Sequence, residues 1–109
     1  AESYERHQGE KLVKRFNAQA YWILTKAMDS HDIGRGRGPI PEVLNKVKAR
    51  TLIMGVSTDL LFPTSEQKFL AEHIPEAEYH EIESPYGHDG FLIEFDQMER
   101  ILRRFLENP

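Results

Sequence analysis

Thr51-Leu52-Ile53-Met54-Gly55-Val56-Ser57-Thr58-Asp59 is the stretch on which the fold turns. The uncharged run Thr51–Val56 predicts a strand buried on both faces, as in a parallel sheet. It gives way to a loop over Ser57–Pro63. Ser65–Ile74 then reads as a helix, with Ser65 as its cap and Phe69, Leu70 and Ile74 as its apolar stripe. Tyr79–Ile82 is a second predicted strand, and Ser84–Gly90, with Pro85, Gly87 and Gly90, a second loop. Phe91–Leu106 is a closing helix whose expected buried side is Leu92, Ile93, Phe95, Met98, Ile101, Leu102, Phe105 and Leu106. A short helix over Glu42–Lys48 precedes the first strand. The order α-β-α-β-α is half of a doubly wound sheet, with parallel strands joined by a right-handed crossover. Two strands are too few for an independent sheet, so the chain reads as part of something larger.

Upstream, Gly34-Arg35-Gly36-Arg37-Gly38-Pro39-Ile40-Pro41 holds three glycines and two prolines in eight residues. That excludes a helix interior or a central strand and predicts a connection over 34–41. A glycine-rich nucleotide loop needs a strand before it and a helix start after it. Here the preceding segment is helical and two prolines follow. In residues 3–31, Leu12, Val13, Phe16, Ala20, Ile23, Leu24 and Ala27 recur at three- and four-residue steps. Asn17 is a weak helix former, so one long helix and two helices meeting near Phe16–Ala18 both fit. Such helices must pack on something, in this chain or another. The predicted organisation is 1–33 helical, 34–41 connecting and 42–109 α/β.

Fourteen Lys and Arg against eighteen Asp and Glu give a net charge of -4 at pH 7, which disfavours a general grip on nucleic-acid phosphates. Residues 1–50 carry ten basic and six acidic side chains, residues 51–109 four and twelve. This asymmetry suggests two regions able to complement one another. Without cysteine there are no disulfides, thiol catalysis or thiolate metal sites, which fits a reducing, cytoplasmic setting. No run approaches the roughly 20 apolar residues of a membrane span, and no signal peptide is visible.

Ligands of open parallel sheets bind at the carboxyl ends of the strands. Asp59 stands three residues after Val56, and His88 six residues after Ile82, between Gly87 and Asp89. Adjacent strand ends would bring these groups together across 29 residues of chain. An aspartate that accepts the Nδ1 proton of a histidine fixes its tautomer and supports its positive charge. Asp followed by His is also the chain order of the α/β-hydrolase triad after its serine. The bland readings are a turn residue for Asp59 and a loop histidine for His88. No serine lies in G-x-S-x-G. Ser57 comes nearest, but it lacks the following glycine and helix start of a nucleophile elbow. The five histidines form no ligand pair of metal-site spacing, and His80 reads as a surface residue of the second strand.

Four stretches together resemble the C-terminal portion of the homoserine O-acetyltransferase family: Ser3-Tyr4-Glu5-Arg6-His7-Gln8-Gly9-Glu10-Lys11, Ala27-Met28-Asp29-Ser30-His31-Asp32, Ser57-Thr58-Asp59-Leu60-Leu61-Phe62-Pro63 and Tyr86-Gly87-His88-Asp89-Gly90-Phe91-Leu92. The resemblance covers nearly the whole chain. It implies the C-terminal part of an α/β-hydrolase fold preceded by a helical lid segment, and a Ser-Asp-His triad with Asp59 as acid and His88 as base. It implies that Asp89 contacts substrate, through the homoserine ammonium. The reaction implied is acetyl transfer from acetyl-CoA, a co-substrate with no further cofactor, to L-homoserine in methionine biosynthesis. The serine and oxyanion hole would come from the remainder of the enzyme, and the segment 3–32 would form lid and homodimer contact. The chain expressed alone is then expected to be inactive and poorly soluble, its sheet edge unpaired. Rival readings are another donor or acceptor (succinyl-CoA, serine), an esterase, or a non-catalytic packing or dimerisation module. A phosphoacceptor receiver domain wants an acidic pair and a strand-end lysine that are missing here.

Overall fold

The computed structural model describes residues 2–107. Two helices come first, α1 (Glu2–Arg15) and α2 (Ala18–Asp29). The α/β part follows as α3 (Ile40–Leu44), β1 (Leu52–Val56), α4 (Thr64–His73), β2 (Glu78–Ile82), a 3-10 turn (Gly87–Leu92) and α5 (Phe95–Glu107). The chain divides into two units, Ala1–Ile33 and Gly34–Pro109. The outer ends of the predicted segments, at Ala1 and at 108–109, lie outside the described residues.

In the first unit the helix breaks at Asn17. Its backbone is extended (φ -87°, ψ 160°), and its side-chain oxygen accepts the Ala20 N–H at 2.7 Å. A cap of this kind stabilises a helix start by about 1 kcal/mol, so of the two readings it is the two-helix one that forms. No residue of α1 or α2 is buried.

In the second unit β1 and β2 pair in parallel, Leu52 opposite Glu78 through Val56 opposite Ile82. The ladder is extended by Glu78 N–H to Thr51 O and Ser57 N–H to Ile82 O, both 2.9 Å. Thr51, expected in the strand, sits just outside it. Burial is uneven rather than complete on both faces. Ile53 and Gly55 face α4, where a β-carbon on Gly55 would touch Thr64 and Gln67. Val56 faces the other way and is sealed by the 3-10 turn, while Leu52 and Met54 on that side stay half-buried. Among the described residues the buried hydrophobic ones are Val43, Leu44, Ile53, Val56 and Ile82.

The structure moves several boundaries. Helix α3 starts at Ile40, two residues before the predicted Glu42, and ends at Leu44. Pro39 precedes it and Pro41 sits in its first turn, where a missing N–H costs nothing. The connection therefore ends earlier than 41. Helix α4 begins at Thr64, and Ser65 lies inside its first turn rather than capping it. The cap position is Pro63, already extended at ψ 145°. Part of the expected loop 84–90 is the 3-10 turn. The closing helix starts at Phe95 instead of Phe91, because Gly90 O takes the N–H groups of both Ile93 and Glu94 and closes a tight turn first. The expected buried side of α5 is only partly covered: Met98, Ile101 and Phe105 are half-buried, whereas Phe95, Leu102 and Leu106 are exposed, as are Leu92 and Ile93 ahead of the helix. Periodicity aligns these residues on one face, but two strands offer too little surface to cover it. No helix among the described residues is long and apolar enough to cross a membrane.

Candidate active site

Asp59 sits in the turn that ends β1, its N–H donating to Val56 O at 3.0 Å. Its side chain folds back over the loop it starts. Oδ1 accepts the N–H groups of Leu61 and Phe62, each at 2.9 Å. The second oxygen, Oδ2, lies 2.7 Å from Nδ1 of His88. The carboxylate is buried, with 6% of its side chain accessible, whereas His88 keeps 36%. Burial alone would raise the carboxyl pKa. The Phe62 N–H, the His88 ring and the Leu61 N–H together outweigh it, and Asp59 is held below its ordinary value of 3.8. It therefore stands as a carboxylate at neutral pH. In that state it accepts the Nδ1 proton, which leaves Nε2 of a neutral ring as a base.

His88 reaches this position through the 3-10 turn. Gly87 enters it with φ +60°, a left-handed conformation that suits glycine. Its N–H donates to Thr58 Oγ1 at 2.9 Å, and the same hydroxyl donates to Ser84 O at 2.7 Å. Ser57 Oγ accepts the Ser84 N–H at 3.2 Å, and Ser84 Oγ accepts the Tyr86 N–H at 3.3 Å. Gly90 packs against Val56 and Ser84, with no room for a β-carbon. The imidazole packs against two aromatic rings, Phe62 and Phe91, each with its centroid 5.1 Å away.

The two residues singled out for acid–base chemistry are thus in contact at adjacent strand ends. His88 and Asp89 both line an open cleft of about 280 Å³, together with Thr58, Leu60, Leu61, Tyr86 and Gly87. Asp89 is exposed there. The Ser57 hydroxyl is engaged by the Ser84 backbone. His80 is partly covered, 3.8 Å from Glu78 on its own strand. Among the described residues no group of three His, Asp or Glu side chains is placed to hold a metal ion. Sequence reasoning passed over Thr58, Ser84, Phe62 and Phe91. One signal was available: Thr58 and Gly87 are 29 residues apart, the same offset as Asp59 and His88.

No family model matches the chain. Individual proteins do. It is 56% identical over 107 residues to a homoserine O-acetyltransferase of Cyclobacterium marinum, covering 97% of this chain and 30% of that protein. It is 52% identical over 110 residues to one of Carboxydothermus hydrogenoformans, covering 97% and 29%. The chain is related to homoserine O-acetyltransferases. A homoserine O-acetyltransferase of Saccharomyces cerevisiae is 46% identical over 108 residues, 98% of this chain and 22% of that protein. The chain spans about 30% of the length of the first curated relatives it matches. Parallel strands with flanking helices agree with the α/β-hydrolase fold that the resemblance implied.

Proposed function

We propose that this chain supplies the acid and the base of a Ser-Asp-His triad in an enzyme that transfers acetyl from acetyl-CoA to the hydroxyl of L-homoserine. The observation that carries the reading is the 2.7 Å contact between His88 Nδ1 and Asp59 Oδ2, in a chain whose relatives bear the name homoserine O-acetyltransferase. The serine comes from sequence outside this chain. Its oxygen attacks the thioester carbonyl while His88 Nε2 takes its proton. The C–S bond breaks, the proton passes to the departing thiolate and an acetyl-serine remains. The homoserine hydroxyl then attacks that ester, His88 again accepts the proton and returns it to the serine, and O-acetylhomoserine leaves. Asp59 orients the ring and stabilises the imidazolium in both halves.

Asp89, exposed in the cleft beside His88, supplies a negative charge for the homoserine ammonium. Helices α1 and α2 serve as lid and as homodimer contact. A groove of about 270 Å³ lined by Leu12, Val13, Phe16 and Tyr21 supports an apolar neighbour there. The reading places the enzyme in the cytoplasm, in methionine biosynthesis.

The test is acetyl transfer by the intact enzyme carrying His88→Ala or Asp59→Asn, followed as CoA release. Replacing the aspartate of a comparable triad lowers kcat by about 10⁴, and a loss of that order is expected with the fold retained. Wild-type turnover in either variant refutes the assignment.

A further inference from the structure

We propose that Thr58 is the residue that sets the distance between acid and base. This rests on the acyl-transfer reading of Asp59 and His88. Thr58 immediately precedes Asp59, and Gly87 immediately precedes His88. The Thr58 hydroxyl accepts the Gly87 N–H at 2.9 Å and donates to Ser84 O at 2.7 Å. One oxygen therefore joins the loop after β1 to two points, Ser84 and Gly87, of the segment that leads into His88. The bridge runs beside the acid–base contact, one residue behind it on each loop. Gly87 has its left-handed φ of +60° at this point, so the bond to its N–H fixes the direction in which the turn leaves. A proton acceptor misplaced by about 1 Å can cost on the order of 100-fold in rate, and among the bonds that hold the turn this hydroxyl is the one directly behind the acid–base pair on both loops.

Both of the hydroxyl's roles are used, so an isosteric methyl cannot stand in for it. Thr58 is a positioning residue, acting through His88. Thr58→Val in the intact enzyme is expected to lower kcat by about 10- to 100-fold with KM for the acyl donor unchanged. The far-downfield proton resonance of His88 Nδ1–H should weaken or move upfield. Thr58→Ser, which keeps the hydroxyl, restores both. If Thr58→Val fails to fold, Thr58→Ala removes the same bonds without a second methyl and is read the same way. Unchanged kcat and resonance in the hydroxyl-free variant overturn the proposal, and so does an equal loss in Thr58→Ser. Unchanged turnover in His88→Ala would instead refute the acyl-transfer reading, while the resonance still reports on whether Thr58 holds the pair.

Discussion

Gly90→Ala puts the packing of the candidate site to a direct test. A β-carbon at this position meets Val56 Cγ1 at 2.8 Å and Ser84 Cβ and Oγ at 2.9 Å each. Carbon atoms in contact rest at about 3.5–4.0 Å, so the turn must withdraw by about 0.7 Å or more. Neither neighbour yields easily. Val56 is the buried last residue of β1, and Ser84 is buried and bonded through its N–H and its hydroxyl. Overpacking of this kind costs about 1–3 kcal/mol. Gly90 is two residues from His88, so the same withdrawal stretches the 2.7 Å contact with Asp59 toward about 3.4 Å, beyond a good charge-assisted bond. Thermal unfolding of Gly90→Ala should show a melting temperature lower by several degrees, and the downfield Nδ1–H resonance should be lost. Gly9→Ala is the control. Gly9 lies inside α1 with nothing within 4 Å of an added β-carbon, and alanine there favours the helix by about 0.5–1 kcal/mol. A Gly90→Ala protein that melts with the parent and keeps the resonance would refute the packing argument.

Two further outcomes follow from the shifted ionisations. Asp59 is held below its ordinary 3.8, so its contribution to stability is present above that value and is lost as the pH falls through the folded-state pKa. Acid unfolding followed by circular dichroism should therefore be less steep in Asp59→Asn than in the parent, and equal slopes would sink this account. Tyr79 moves the opposite way, pushed up to about 12 by burial, by its 2.9 Å hydrogen bond to Glu81 and by that carboxylate's charge. Between the ordinary 10.0 and about 12 the folded state keeps a proton that the unfolded chain releases, so stability falls as the pH rises through that range. Tyr79→Phe should flatten this alkaline decline and remove the phenolate absorbance step near 12; an unaltered titration would show that the step belongs to another group.

Much of the architecture was legible because hydrophobic runs report directly on strands. Leu52–Val56 declared itself by its lack of charge, and the two loops after the strands were bounded by glycine and proline. Asp59 and His88 could be paired from their places after successive strands, since parallel neighbours put such loops side by side. The 3-10 turn was not legible. Gly87 and Gly90 read as loop punctuation, yet Gly87 supplies a left-handed φ and Gly90 a close approach to Val56. Thr58 was hidden for a similar reason, because a threonine in a loop has no periodicity to mark it. The stripe on α5 was visible in sequence, but its exposure was not: spacing tells which residues share a face and nothing of what covers it.

That exposure raises a physical question, which is how the five hydrophobic side chains buried among the described residues can support a site with sub-ångström demands. The hydrogen bonds between the two loops answer it. Ser57 N–H to Ile82 O, Thr58 to Ser84, Gly87 to Thr58 and Asp59 to His88 cross between the same two short segments. Pairing β1 with β2 already fixes where those segments start, so each further bond closes only a small loop and meets little added entropy. Each contributes about 1 kcal/mol net, so no single one governs folding. Their shared effect is directional, since several bonds in different orientations leave the turn few ways to move. Deleting one should therefore cost more in the alignment of His88 than in stability, whereas an added atom at Gly90, which presses on buried Val56 and Ser84, should cost in both. Thr58→Val and Gly90→Ala differ in this way, and measuring rate and melting temperature on the same pair of proteins separates a site held by local bonds from one held by its core.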